Sequence, residues 1–87
     1  MDTKAYVYIL ECNDHTYYTG YTTDVENRLK MHNLGRGAKY TRARRPCRLV
    51  YSKACDSKSS AMKLEYKIKQ LSRKEKVDLI LGVLKEL

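Results

Sequence analysis

The sequence predicts an α+β fold with its elements in the order ββαβαα, and three observations carry that expectation. Two runs rich in Tyr, Val, Ile and Thr flank the polar stretch Asn13-Asp14-His15, the pattern of a β-hairpin. Two Ser/Thr-x-x-Glu signatures, Thr23-x-x-Glu26 and Ser72-x-x-Glu75, each precede apolar residues at helical spacing, the mark of a capped helix start. At 87 residues a chain buries only roughly 60 to 65 per cent of its unfolded surface, so there is material for one core. No repeat, linker or low-complexity tract divides the chain, and residues 1–87 are read as one domain.

Each element can be justified in turn. Residues 5 to 12 and 16 to 22 are the two hairpin strands. If the three-residue turn pairs Cys12 with Thr16, Tyr8 falls opposite Gly20 and diagonal to Tyr18 on one face. A helix over about 24 to 34 carries Val25, Leu29 and His32, and Gly35 is placed to close it in a left-handed conformation. Residues 35 to 46 read as a basic loop ending at Pro46, and Arg48 to Cys55 as a third strand. After Asp56, the positions Ala61, Leu64, Ile68 and Leu71 form one helical stripe. The Ser72 box then opens a last helix with Val77, Ile80, Leu81 and Leu84 inward.

Composition narrows the functional classes. Apolar residues make up 43% and charged residues 32%, which excludes a low-hydrophobicity disordered tail. No run approaches the roughly 20 apolar residues that span a bilayer and no signal-peptide pattern opens the chain, so a cytoplasmic protein without membrane contact is expected. Cys12, Cys47 and Cys55 lack CxxC spacing and read as small buried hydrophobes rather than a disulfide framework; Cys12-x-x-His15 is the one pair with ligand-like spacing. The formal charge is +8, and from Asn27 to Cys55 nine basic residues occur without one acid. Clustered Lys and Arg attract phosphate backbones through counterion release, so nucleic acid is the leading partner, and a merely solvated basic surface is the alternative.

Several residues can carry chemistry. Gly20 beside Tyr8 and Tyr18 leaves room for a phosphate to approach the sheet; it serves equally as a bend or bulge glycine, and a tyrosine-rich hairpin serves equally as core. With Val25 at zero and about 100° per residue, Arg28 lies near −60° and His32 near −20°, on or beside the apolar stripe. That placement suits a guanidinium gripping phosphate beside a proton-handling imidazole. It also suits an Arg stem laid over the core and a satisfied, half-buried histidine. Glu65 falls at the buried edge of its helix, either as a metal ligand or as a surface carboxylate paired with Lys69 at i+4.

Tyr6-Val7-Tyr8, Tyr18-Thr19-Gly20, then Arg28, His32 and Glu65, in that order, resemble the GIY-YIG nuclease superfamily. The stretches "HNLGRGAKYTRARRPCRLVY" and "EYKIKQLSRKEK" resemble its stand-alone single-domain bacterial branch, which is similar also to the nuclease subunit of Slx-type structure-specific endonucleases. The likeness covers almost the whole chain; the first motif departs from the family pattern in carrying Tyr6 where a glycine leads. The resemblance implies a small three-stranded antiparallel sheet flanked by helices. It implies an endonuclease that hydrolyses phosphodiester bonds in DNA with Mg²⁺ or Mn²⁺, of the structure-specific kind used in DNA repair or recombination. In that scheme Glu65 holds the metal, Arg28 stabilises the transition state, Tyr8 or Tyr18 positions or deprotonates water, and His32 relays the proton. Gly20, Arg36, Lys39, Tyr40, Arg42, Arg44 and Arg45 are expected to contact nucleic acid, with Tyr40 the candidate for a position that holds Asn or His in relatives. Relatives with a separate DNA-binding domain are the pattern from which this chain departs, so a protein partner supplying specificity is expected. The alternative is a non-catalytic module for DNA or structured RNA with a vestigial site.

Overall fold

Four consecutive residues of the first strand, Val7, Tyr8, Ile9 and Leu10, are each at most 2% exposed. Side chains alternate across a strand, so such a run demands cover on both faces. A computed structural model, which describes residues 4–84 and 87, supplies it. Strand β1 (Ala5–Glu11) lies in the centre of a three-stranded sheet, with β2 (Tyr17–Thr22) on one side and β3 (Arg48–Cys55) on the other, both antiparallel to it. The hairpin register is the expected one: Tyr8 faces Gly20 and Tyr6 faces Thr22. A Cys12 N–H to Thr16 C=O bond of 2.8 Å closes the turn, with His15 left-handed at φ 65°. The β1 to β3 ladder runs from Ala5 opposite Cys55 to Glu11 opposite Arg48, with one irregularity between Ile9 and Leu10.

Each face has its own apolar cluster. Ala5, Val7 and Ile9 pack on Ala61 and Ile68 of α3 (Lys58–Lys69) and Leu79 of α4 (Arg73–Ile80). On the other face Tyr8, Leu10, Cys12 and Cys47 pack with Tyr18 and with Leu29 of α1 (Val25–Asn33). Cys12 and Cys47 are buried there with their Sγ atoms 3.7 Å apart, and burial pushes the Cys47 thiol up to about 11. Cys55 is only partly buried, against the first cluster.

Local chemistry sets the helix ends. The Thr23 box is displaced by one residue: Asp24 is the N-cap, accepting from the Asn27 N–H at 3.1 Å. An Asp carboxylate caps at least as well as a Thr hydroxyl, and Asp24 holds the extended conformation a cap requires. At the other end Gly35, at φ 79°, donates to His32 C=O and Arg36 donates to Met31 C=O, which is the Schellman pattern. The Ser72–Glu75 box forms reciprocally. The last helix departs from expectation in its buried face. It ends at Ile80, Leu81 becomes its C-cap at 70% exposure, and Gly82 at φ 81° turns the chain away. Leu79 enters the core instead, with Ile80 and Leu84 packed beside it.

The expected loop 35–46 contains a single helical turn, α2 (Lys39–Arg42), so the order is ββααβαα. Ala38 offers no side-chain cap; the turn is held instead by its Arg42 N–H to Ala38 C=O bond and by the wholly buried Thr41. Among the described residues no helix is long and apolar enough to cross a membrane.

Candidate active site

The second face of the sheet carries a chain of buried polar groups. Tyr8, pointing from β1, places its Oη 2.8 Å from His32 Nε2, and His32 Nδ1 lies 2.7 Å from Thr41 Oγ1. Thr41 in turn donates to Ala38 C=O at 3.1 Å. The threonine's one proton being so used, its oxygen accepts from Nδ1–H, which leaves Nε2 with a lone pair to accept the Tyr8 proton. His32 is fully buried. Burial, aided by the Arg28 cation, lowers its pKa to about 4, so the ring is neutral at ordinary pH. Burial also raises the Tyr8 phenol, with Tyr18 and Glu65 adding to the rise and Arg28 opposing it.

Two glycines make this arrangement possible. A Cβ on Gly20 would stand 2.6 Å from Tyr8 Oη. A Cβ on Gly37 would fall on the His32 ring. Gly37 also offers its carbonyl to Arg28 Nη2 at 3.3 Å, which turns the guanidinium along the edge of the site.

An opening of about 290 Å³ is lined by Tyr8, Tyr18, Gly20, Tyr21, Arg28 and Glu65. Four of the five residues expected to do chemistry therefore line one pocket, and the fifth, His32, lies directly behind it on the Tyr8 phenol. Glu65 reaches the pocket from α3 and pairs with Lys69 at 3.7 Å, so both readings of that carboxylate hold at once. Tyr18 meets His32 edge-on at 5.1 Å between ring centroids and stacks on Tyr40 at 6.0 Å. The Arg44 guanidinium covers the far side of the Tyr40 ring at 3.9 Å.

The basic loop divides into two groups. Arg44 bonds Asp14 at 3.1 Å and Tyr40 C=O at 2.8 Å, and Arg45 Nε donates to Arg42 C=O at 2.9 Å. Arg36, Lys39 and Arg42 are exposed and have no carboxylate partner among the described residues. Sequence reasoning missed Thr41, Gly37 and Tyr21. Gly37 sits two residues after Gly35, a spacing that signals close backbone approach, whereas nothing in the local sequence marks Thr41 as buried.

Among the described residues no group of three His, Cys, Asp or Glu side chains gathers to ligate a metal. Glu65 is a single hard oxygen donor facing an open pocket. That donor set fits Mg²⁺ or Mn²⁺, which take one or two carboxylates and otherwise waters and substrate phosphates.

Phenols, a guanidinium, a neutral imidazole and a carboxylate gathered beside a three-stranded antiparallel sheet are the equipment of a nuclease-type catalytic domain. The chain belongs to the GIY-YIG family, since the model of the GIY-YIG catalytic domain matches residues 4–78. It is 61% identical to a UPF0213 protein of Halobacterium salinarum over 71 residues, 82% of this chain and 92% of that one. It is 56% identical to a UPF0213 protein of Staphylococcus haemolyticus over 77 residues, 88% of this chain and 94% of that one. Among solved structures, the solution NMR structure of a UPF0213 protein from Bacillus halodurans matches with a TM-score of 0.58 and 57% identity over 88% of this chain and 82% of the other. An NMR structure from E. faecalis matches with a TM-score of 0.63 and 40% identity over 100% and 95%. The family supports a nuclease-type function and with it a nucleic-acid substrate.

Proposed function

We propose that this chain is a single-domain, divalent-metal-dependent endonuclease that hydrolyses phosphodiester bonds in DNA, acting in the cytoplasm on structured substrates of the kind met in repair or recombination. The observation that carries the reading is the shared pocket of Tyr8, Tyr18, Arg28 and Glu65, with His32 Nε2 accepting from the Tyr8 phenol. Water gives its proton to the Tyr8 oxygen as the phenol's own proton passes to His32, while the water oxygen bonds to phosphorus and the bond to the leaving oxygen breaks. The low proton affinity of His32 makes this relay depend on the negative charge that the phosphate brings. Arg28 faces the phosphate oxygens where charge develops. Tyr18 fixes the wall of the pocket through its contacts with His32 and Tyr40. Glu65 would hold Mg²⁺ or Mn²⁺, which when bound supplies positive charge to the phosphate.

Labelled duplex, nicked, flap and branched DNA incubated with Mg²⁺ or Mn²⁺ test the proposal. Cleavage is expected, with Arg28→Ala slower by about 10²-fold or more, as for loss of one preorganised transition-state donor. Glu65→Ala should keep most binding and lose cleavage. A parent that cuts nothing, or variants that cut as well as the parent, overturn it. The exposed cations Arg36, Lys39 and Arg42 also fit a non-catalytic binding module; chelator-insensitive, salt-sensitive binding without cleavage is the outcome that selects that reading.

A further inference from the structure

Outside the pocket, the largest open groove is on the outer face of α3. It measures about 820 Å³ and is lined by Lys58, Ser59, Met62, Lys63, Tyr66 and Lys67. Tyr66 is 67% exposed and Met62 47%. None of the three lysines has a carboxylate partner among the described residues. The fold uses α3 only through its opposite side, where Ala61 and Ile68 are fully buried.

Helix geometry connects this groove to the pocket. At about 100° per residue, with Ala61 at zero, Ile68 stands near −20° and Glu65 near +40°. Continuing in the same sense come Lys58 near +60°, Lys69 near +80°, Met62 near +100° and Tyr66 near +140°. The flank that begins at the pocket-lining Glu65 thus runs without interruption onto Met62 and Tyr66. A strand leaving the pocket past Glu65 meets first ammonium groups and then an exposed ring.

We propose that this face of α3 binds the unpaired strand of a partly single-stranded nucleic acid, with a base stacked on Tyr66 and Met62 and its phosphates on Lys58, Lys63 and Lys67. The inference rests on the nuclease reading of the pocket and adds the substrate feature that the pocket itself does not specify. Every base offers a flat face to an aromatic ring, and interleaved lysines track the backbone, which is how single strands are held without sequence readout. Paired bases expose only their edges and backbone, so a duplex cannot use the ring. A second copy of the chain is disfavoured as occupant, because the same lysines would meet at the contact on a protein of charge +8.

The test compares binding, by anisotropy in chelator, of a blunt duplex and the same duplex carrying a single-stranded extension. The extension should tighten binding by the parent. Tyr66→Ala should weaken binding of the extended duplex by about 5- to 150-fold and leave the blunt one unchanged. Because the chain has no tryptophan, a Tyr66→Trp variant gives a single reporter: it should keep the affinity, and its emission should be quenched by the extended duplex only. Unchanged affinity in Tyr66→Ala, equal loss on both substrates, or unquenched emission overturns the proposal. So does a parent dimer that Tyr66→Ala converts to monomer. If the parent cuts DNA while these results fail, only the α3 assignment falls; if it neither binds nor cuts nucleic acid, the nuclease reading falls with it.

Discussion

Replacing Thr41 by Val isolates the contribution of the hydroxyl behind His32. Thr41 is wholly buried, and its Oγ1 accepts from His32 Nδ1 at 2.7 Å while donating to Ala38 C=O. Valine keeps the branched shape and removes both bonds. Ala38 C=O retains the Arg42 N–H at 3.1 Å, so the group left without a partner is the imidazole N–H. An orphaned buried donor costs about 1–3 kcal/mol. At about 4–8 °C per kcal/mol for a domain of this size, the melting temperature should fall by roughly 5–20 °C. Urea denaturation should give the same loss with an unchanged m-value, and Thr41→Ser should recover most of it. Nitrogen-15 NMR of the ring supplies the second readout. The parent should carry its proton on Nδ1, while the Val variant is free to move it to Nε2, which turns the Tyr8 phenol from donor into acceptor. Cleavage by the Val variant should then fall in kcat with little change in KM. A parent ring protonated on Nε2, or a Val variant within about 0.5 kcal/mol of the parent, would falsify the relay, since surface-like neutrality is not what an orphaned buried donor gives.

Three further predictions rest on the same geometry. His32 has a pKa of about 4 in the fold against about 6.5 when unfolded. The unfolded chain binds a proton that the native one refuses, so stability is complete above about pH 6.5 and falls on acidification toward 4. Urea unfolding should show a native state about 2 kcal/mol weaker at pH 5 than at pH 7.5, and a flat profile across that interval would show that the imidazole is not buried neutral. Gly20→Ala should destabilise by about 1–3 kcal/mol and displace Tyr8 from His32, because the added Cβ meets the phenol at 2.6 Å; wild-type stability with an intact Tyr8–His32 bond would contradict that packing. Arg36→Ala and Arg42→Ala should leave the melting temperature unchanged and reduce the salt slope of duplex binding by about 0.9 for each phosphate no longer neutralised. Arg44→Ala should instead lower the melting temperature, since that guanidinium holds Tyr40 and Asp14, and an unchanged melting temperature counts against the structural role.

What was legible in the sequence was what local rules determine. The hairpin register followed from a three-residue turn, and with it the meeting of Tyr8 and Gly20, because period two leaves no freedom once one pair is placed. Arg28 and His32 on the inner side of α1 followed from the helical angle. Two features were out of reach for the same reason: each depends on what the rest of the fold brings near. Thr41 reads as one more polar residue in a basic loop, and it is buried only because His32 needs a partner for Nδ1. Leu79 replaces Leu81 in the core because the helix stops at Ile80, and a periodic pattern extended past its end assigns the wrong face.

The charge pattern was legible only in part, and the reason bears on how substrate is held. The window from Asn27 to Cys55 is free of acids in sequence but not in space. The hairpin brings Asp14 to Arg44 and Glu11 to Arg48, at 3.1 and 2.8 Å, and α3 brings Glu65 into the pocket that Arg28 lines. Arg44 and Arg48 are therefore already neutralised by carboxylates and have little to offer a phosphate. Arg45 keeps its charge, since a carbonyl partner does not cancel it, but its direction is fixed toward Arg42. Of the loop arginines this leaves Arg36 and Arg42 free to turn toward a backbone, joined by Lys39 from the exposed turn of α2. Three mobile cations on one side of Arg28 are few for a substrate that extends in both directions from a scissile phosphate. The unpaired lysines of α3 stand beyond Glu65, on the other side of the same pocket. A phosphate backbone laid through the site thus finds positive charge before Arg28 and after Glu65, with the one hard carboxylate of the pocket between them.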